Sequence, residues 1–126
     1  MTFIWSTLKV RNMDESIAFY ENIIGLKTGK RFQAGPDMEI AFLGDGDTQI
    51  ELIHEKNKTE IEVGHDISWG FSVDSLNEMM NVLEKNDIKI LAGPFSPNPF
   101  TQFFYILDPN GMKIQLVESK DPKESV

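Results

Sequence analysis

Residues Asp108 to Glu118 read DPNGMKIQLVE, and their pattern indicates how the rest of the chain is built. Its first four residues predict a turn, because proline presets φ at the second turn position while asparagine and glycine tolerate positive φ. After the turn, apolar and polar side chains alternate through Ile114, Gln115 and Leu116, and this alternation is the period of a β-strand. One face of this strand carries Ile114 and Leu116, and the other carries Gln115.

A second copy of the pattern lies 64 positions earlier in the chain. There the turn-forming residues 45–48 (DGDT) precede 49–53 (QIELI), so that Glu51 stands where Gln115 stands in the later copy. The same offset relates Trp5 to Trp69. We interpret these matches as an internal duplication.

The first half of the chain predicts a strand, a helix and three further strands. Asn12 is a candidate N-cap with Glu15 as its capping-box partner, and Gly25 is typical of a helix end. The large apolar and aromatic residues that recur at helical spacing along one side of this helix are Met13, Ile17, Tyr20 and Ile24. The predicted strands are Thr2–Val10, Leu26–Gln33, Met38–Leu43 and Thr48–His54.

The second half repeats this order after a polar linker, residues 55–64. Ser75 and Glu78 form a second capping box, and the helix that they open is predicted to stop near Asn86. Residues 93–100 contain three prolines and are predicted to form a loop. The predicted strands are His65–Asp74, Ile88–Leu91, Thr101–Leu107 and the strand after Asp108, and a loose polar tail is expected at 120–126.

The predicted fold class is therefore α+β, with two tandem βαβββ modules, at about 2–54 and 65–119, in one domain of residues 1–126. Such modules bury a sheet face by pairing, and we expect a cupped mixed sheet around a central cleft, with the helices outside.

Composition excludes several classes of function. The chain has no cysteine, which excludes disulfides and thiolate metal sites, and no apolar run long enough to span a membrane. Its net charge of −8 disfavours nucleic acid, and it either attracts cationic ligands or serves only to keep the protein soluble. The first residues lack the features of a signal peptide, so a cytoplasmic location is expected.

With these elements in order, the chain resembles the vicinal oxygen chelate superfamily, which includes glyoxalase I, bleomycin-resistance proteins, fosfomycin-resistance enzymes and extradiol dioxygenases. The resemblance covers residues 2–118 and is closest in spacing to bacterial glyoxalase I. It rests on the order and spacing of five segments along the chain, which are FIWSTLKV, MDESIAFYENIIGLK, QIELIHE, WGFSVDSLNEM and DPNGMKIQLVE.

The resemblance implies four site positions on the first and last strands of the two modules. Glyoxalase I has two histidines and two glutamates there, and these hold a divalent metal ion. In this chain the positions fall on Trp5, Glu51, Ser68 and Gln115, so only Glu51 matches. No tightly bound metal or other cofactor is expected, although Glu51 and Gln115 could hold a divalent cation weakly.

Several of these residues have two interpretations. Glu51 is either a cleft carboxylate that acts as a base or ligand partner, or a relic paired with Gln115. Trp5 is either a pocket wall or a filler of the vacated metal site. The aromatic residues near the seventh strand, Phe100, Phe103, Phe104 and Tyr105, are divided between cleft and core, and Phe103 and Tyr105 are our candidates for ligand binding. Phe95 and the proline-rich segment either cover the opening or simply connect two strands.

The two histidines, His54 and His65, are each three residues from a site position. Alternation places them on the opposite strand face, and both are expected to be loop or solvent-exposed residues rather than ligands.

We hypothesise that the protein binds a small aromatic or cationic molecule in the cleft without a metal, as bleomycin-resistance proteins bind their ligand. The alternative is a glyoxalase-like lyase or isomerase of the lactoylglutathione lyase family that uses Glu51 as base or a weak, non-standard metal site. A third interpretation is a structural or regulatory module that dimerises and has no ligand. The resemblance also implies a homodimer.

Overall fold

Each half of the chain folds as one βαβββ module with its own four-stranded mixed sheet. The computed structural model describes residues 1–120, so the tail predicted from Asp121 onward lies outside the described residues. The chain divides into two compact units, Met1–Val63 and a unit that begins at Gly64, and we call them the first and second modules. The predicted fold class of tandem βαβββ modules is confirmed.

The first module has the sheet order β1-β4-β3-β2, in which β1 runs parallel to β4 and the other neighbours are antiparallel. Its elements are β1 (Trp5–Lys9), α1 (Met13–Phe19), a π-helical turn (Tyr20–Ile24), β2 (Thr28–Gln33), β3 (Met38–Leu43) and β4 (Gln49–Glu55).

The second module repeats this arrangement with the order β5-β8-β7-β6, and β5 runs parallel to β8. Its elements are β5 (Ser68–Ser72), α2 (Leu76–Lys85), β6 (Ala92–Asn98), β7 (Thr101–Leu107) and β8 (Lys113–Ser119).

Both helices begin at the predicted caps. The side chain of Asn12 accepts a hydrogen bond of 2.9 Å from the backbone N–H of Glu15, and the Ser75 hydroxyl accepts one of 3.2 Å from Glu78. These bonds satisfy donors that have no partner within the helix. The first helical segment ends at Gly25, whose φ of 88° lies in the left-handed region.

One face of each sheet is buried beneath its helix, because α1 packs against β4 and α2 packs against β8. Alternate residues of the strands fill these faces with branched apolar and aromatic side chains. The buried strand residues are Leu8, Ala41, Leu43, Ile50 and Leu52 in the first module, and Phe104, Ile106, Ile114 and Leu116 in the second. The other face of each sheet, which we call the open face, is half-buried or exposed.

The turn before β8 is held by the side chain of Asp108, which is only 5% exposed. Its Oδ1 accepts hydrogen bonds of 2.8 Å from the backbone N–H groups of both Asn110 and Met112. Gly111 has a φ of 90°, so a left-handed position in this turn falls on glycine.

The prediction for residues 88–100 is wrong. The strand lies at Ala92–Asn98 rather than at Ile88–Leu91, and it takes up most of the segment predicted as a loop. The strand is at the edge of its sheet, and its paired positions are only Ala92–Tyr105, Phe95–Phe103 and Asn98–Thr101. Pro94 and Pro97 fall between these pairs, where the ladder needs no N–H donor.

The predicted first strands of both modules are too long. Trp5 pairs with Gln49, the first residue of β4, and Ser68 pairs with Lys113, the first residue of β8. Because a strand continues only where a neighbour pairs with it, β1 and β5 begin at these residues instead of at Thr2 and His65.

Glu51 and Gln115 occupy equivalent positions in the two modules, but the two tryptophans do not. Trp5 lies two residues before the partner of Glu51, and Ser68 lies two residues before the partner of Gln115. Trp69 instead pairs with Ile114, on the face beneath α2. The structural equivalent of Trp5 is therefore Ser68, and the match of Trp5 with Trp69 in the sequence is coincidental.

Candidate functional site

Glu51 lies on the open face of the first module, at the centre of the sheet. It pairs with Thr7 on β1 and with Phe42 on β3. The Thr7 hydroxyl donates a hydrogen bond of 2.6 Å to Oε1 of Glu51. Such a bond to a charged acceptor is stronger than one between neutral groups, and it fixes the orientation of the carboxylate.

Two aromatic residues lie on the same sheet face as this carboxylate. Trp5 lies two residues before Thr7 on the same face of β1, and its ring meets that of Phe42 edge-on at a centroid distance of 5.1 Å. Trp5 remains 43% exposed within the described chain. A carboxylate beside rings of this kind can form an ion pair with a cation whose apolar part lies on the rings.

A second carboxylate on the same face, Glu55, already has a cationic partner. Its Oε1 lies 2.6 Å from Nζ of Lys9. The hydrogen bond from Lys9, together with the positive charge of Lys9, lowers the pKa of Glu55 below its ordinary value. Glu51 has no such ion pair among residues 1–120, so it is the carboxylate on this face that is available to a charged ligand.

An open cavity of about 570 Å³ adjoins β1. The segment predicted as a linker forms part of its wall, and Thr7, the hydrogen-bond donor to Glu51, is among the lining residues. The lining residues are Thr7, Leu8, Lys9, Lys58, Glu60, Ile61 and Glu62.

Gln115 has the corresponding central place on the open face of the second module. It pairs with Gly70 on β5 and with Tyr105 on β7. A Cβ atom at Gly70 would lie 3.5 Å from Oε1 of Gln115, so the missing side chain leaves the amide uncovered on that side. Ser68 lies on the same face and pairs with Lys113.

The aromatic residues of β6 and β7 are distributed between the two faces of the sheet, as the alternation of side chains along a strand requires. Phe103 and Tyr105 lie on the open face with their ring centroids 5.7 Å apart, and Phe95 lies 5.5 Å from Phe103. Phe104 is fully buried in the core, and Phe100 is exposed at the turn before β7. Phe103 and Tyr105 therefore lie on the same sheet face as Gln115, and their role in ligand binding stays a prediction.

His54 lies opposite Glu51 in parity, as predicted, but it is neither exposed nor in a loop. It is half-buried within β4, with its Nδ1 at 3.0 Å from the carbonyl oxygen of Val10. The exposed His65 lies before β5, and its carbonyl oxygen accepts a hydrogen bond of 3.2 Å from Nζ of Lys113.

The predicted site residues thus form two groups, each within its own module. Trp5 and Glu51 lie on the open face of the first module, and Ser68, Phe103, Tyr105 and Gln115 lie on that of the second. Sequence reasoning missed Thr7 and Lys113, although both are two residues from a recognised position on the same strand. Along residues 1–120, no three side chains of the His, Asp or Glu type come together as a metal site would require.

None of the helices in residues 1–120 has the length and apolar character that crossing a bilayer requires. The cytoplasmic location, the homodimer and a weak cation site at Glu51 and Gln115 stay predictions.

Solved structures share this fold. The trypanothione-dependent glyoxalase I of Leishmania major matches with a TM-score of 0.82 at 23% identity, over 95% of this chain and 88% of that one. A glyoxalase family protein from Bacillus cereus matches with a TM-score of 0.80 at 22% identity, over 94% of both chains.

Sequence relatives extend over nearly the whole chain. The lactoylglutathione lyase of Salmonella typhimurium is 30% identical over 132 residues, which cover 96% of this chain and 95% of the relative. The enzyme of the same name from Neisseria meningitidis serogroup B is 28% identical over 137 residues, or 100% of this chain and 96% of the relative. A family model matches residues 3–116. The chain therefore belongs to the glyoxalase/bleomycin resistance protein/dioxygenase superfamily.

Proposed function

We propose that this protein binds a small organic cation with an aromatic or other apolar part on the open face of its first module, without a metal ion. The observation that carries the proposal is the hydrogen bond between Thr7 and Glu51, beside the exposed ring of Trp5. The carboxylate is oriented before a ligand arrives, and the ring offers an apolar surface that attracts cations.

Charge supports the same class of ligand. The net charge of −8 attracts cations over a distance, and Glu51 supplies the local partner. Because Glu51 is half-buried, salt screens its attraction for a cation less than it screens a fully exposed pair.

The donors present do not fit the transition metal ion of a glyoxalase. At the four positions that the family resemblance assigns to metal ligands, this chain has Trp5, Glu51, Ser68 and Gln115. The indole of Trp5 is a hydrogen-bond donor with no lone pair for a metal, and Oε1 of Glu51 already accepts from Thr7. Zinc and similar divalent transition metals prefer imidazole, thiolate and carboxylate ligands, and of the four residues only Glu51 belongs to these types.

Calorimetric titration with benzyltrimethylammonium tests the proposal. We expect the wild type to bind this cation and Glu51→Gln to bind it at least about tenfold more weakly, since the substitution removes the charge that attracts the cation and keeps the shape. Glu55→Gln is the matched control, since Lys9 already neutralises that carboxylate, and it should leave the affinity nearly unchanged. Equal affinity of the wild type and Glu51→Gln would refute the proposal.

Thermal unfolding of the stripped protein tests the metal-free part. We expect Ni²⁺, Zn²⁺, Mn²⁺ and Mg²⁺ to leave the Tm unchanged. A metal at a hundred times its Kd would add about 2.7 kcal/mol to the free energy of unfolding, which a melting curve resolves. A rise in Tm that Glu51→Ala abolishes would contradict metal-independent binding.

A lactoylglutathione lyase activity is the second candidate, and the similar relatives of that name support it. In this alternative Glu51 acts as the base. Its test is an assay for S-lactoylglutathione with each of the four metals supplied. Turnover that Glu51→Gln abolishes would favour the enzyme over the binding protein.

A further inference from the structure

We propose that the open face of the second module carries a separate subsite for the carboxylate of a small aromatic acid, formed by Ser68, Lys113 and Gln115. The proposal does not depend on cation binding by the first module, because it rests on different residues with the opposite charge preference.

The position of Lys113 is the first observation. It is half-buried, and its Nζ donates a hydrogen bond of 3.2 Å to the carbonyl oxygen of His65 and lies 5.6 Å from the ring centroid of Tyr105. None of the ion pairs formed within residues 1–120 involves Lys113. The ammonium group is therefore held in place by neutral partners, and its charge stays available to an anion.

The charge of the surrounding face is the second observation. No strand residue on the open face of this module is Asp or Glu, since Glu118 points to the other face, where its carboxylate accepts from the backbone N–H of Leu76. The open face of the first module, by contrast, carries Glu51 and Glu55. Lys113 thus gives the second face a positive local charge, although the chain as a whole is acidic.

Neutral hydrogen-bonding groups flank this lysine. Ser68 is its pairing partner on β5, and Gln115 follows two residues later on the same face of β8. A hydroxyl and a side-chain amide each supply N–H or O–H donors, and with the ammonium group they match the several lone pairs of a carboxylate. A Cβ at Gly70 would lie 3.5 Å from Oε1 of Gln115, so Gly70 leaves the amide oxygen uncovered, and the donor toward a carboxylate is the Nε2 group of the same amide.

The aromatic residues indicate what the carboxylate is attached to. Lys113 already occupies the cation–π position at Tyr105, so this ring is not the place for a cationic ligand. Tyr105, Phe103 and Phe95 form a continuous row of ring contacts from β7 to β6, and Phe95 is 46% exposed. A planar apolar group attached to the carboxylate can lie on this row.

Two-dimensional NMR with benzoate tests the subsite. We expect saturable shifts of the backbone amides of Ser68, Lys113 and Gln115, and an affinity at least about tenfold lower for Lys113→Met, because the ion pair is lost. Lys113→Arg keeps the charge and should stay within about threefold of the wild type. Lys85→Met, an exposed lysine on α2, is the matched control and should bind benzoate like the wild type.

Benzamide, which has nearly the shape of benzoate and no charge, is the test that needs no variant. We expect it to bind the wild type at least about tenfold more weakly than benzoate. Equal binding of the two compounds, an unchanged affinity of Lys113→Met, or the absence of saturable shifts would each overturn the proposal. None of these results bears on benzyltrimethylammonium binding at Glu51, so the two proposals fail independently.

Discussion

The hydroxyl of Thr7 and the carboxylate of Glu51 are joined by a hydrogen bond of 2.6 Å at paired positions of two parallel strands. The bond uses Oε1 and sets the direction of Oε2. Thr7 therefore positions Glu51 without being the group that a charged ligand would contact first.

Thr7→Val removes this hydrogen bond with little change of shape, so Glu51 loses its fixed orientation. We expect the affinity for benzyltrimethylammonium to fall about three- to tenfold, less than for Glu51→Gln, because the charge itself remains. Thr7→Ser keeps the hydroxyl and should restore most of the affinity. Calorimetric titration measures the affinity of all three proteins for this cation. If Thr7→Val binds it as tightly as the wild type, Thr7 does not position Glu51 for binding.

Trp5 is expected to be a wall of the binding surface. Its ring is 43% exposed and meets Phe42 edge-on, whereas Trp69 lies on the opposite face of its own sheet. In a Trp69→Phe protein, the remaining emission comes from Trp5, and we expect benzyltrimethylammonium to change it. Trp5→Ala should lose this response and about two- to fivefold in affinity, since a cation–π contact of about 0.5–1 kcal/mol is removed.

A purely space-filling role for Trp5 would give a different result. If Trp5 only fills space, its emission will not respond to the ligand, and Trp5→Ala will lower the free energy of unfolding without changing the affinity. Thermal unfolding of the same variant separates the two effects.

The fold could be predicted from the sequence because both modules obey local rules. The capping residues Asn12 and Ser75, together with alternation over the first four residues of β4 and of β8, indicate the helices and the central strands directly. The edge strand β6 could not be predicted, since its prolines are tolerated only because they lie between paired positions, and pairing is a property of the sheet rather than of the segment.

The candidate site could be predicted only in part, for a related reason. Positions such as Glu51 and Gln115 follow from the repeat, but their partners depend on register between strands that are distant in sequence. Thr7 and Glu51 are separated by 44 residues. Ser68 and Lys113 likewise meet only through the parallel pairing of β5 and β8. Register also explains the error at Trp69, since a shift of one residue moves a side chain to the other face.

The ion pair of Lys9 and Glu55 predicts how stability depends on pH. The hydrogen bond from Lys9 and its charge lower the pKa of Glu55 in the folded protein. A lowered carboxyl pKa contributes stability above the unfolded value, and this contribution is lost as pH falls through the lowered pKa. We therefore expect Glu55→Gln to melt below the wild type at pH 7 and the difference to shrink as pH falls below about 4.3, the ordinary pKa of a glutamate.

Melting temperatures of the two proteins at pH 7, 4 and 3 measure this effect. Both side chains are partly exposed, so the difference should be small and should decrease with added salt. Glu60→Gln, an exposed carboxylate in the same module, is the control and should melt like the wild type at pH 7. A Glu55→Gln protein that melts with the wild type at neutral pH would show that the pair contributes nothing to stability.

Gly93 is the glycine whose replacement should destabilise the protein most. Its φ is 103°, and a Cβ there would lie 3.0 Å from Cβ of Phe104 and 3.1 Å from the carbonyl oxygen of Phe103. Phe104 is fully buried, so the neighbouring atoms cannot move aside without disturbing the core. Gly35 has a similar φ of 86° but no atom within 4 Å of the position of a Cβ, which makes it a matched control for backbone strain alone.

Gly35→Ala should therefore cost about 1–2 kcal/mol of the free energy of unfolding, the usual penalty for a side chain in the left-handed region. Gly93→Ala should cost about 1–3 kcal/mol more, because overpacking against Phe104 adds to the same strain. Urea denaturation of the two variants measures the difference directly. Equal costs would mean that β6 moves away from β7 to accept the methyl group, which its few paired positions would then permit.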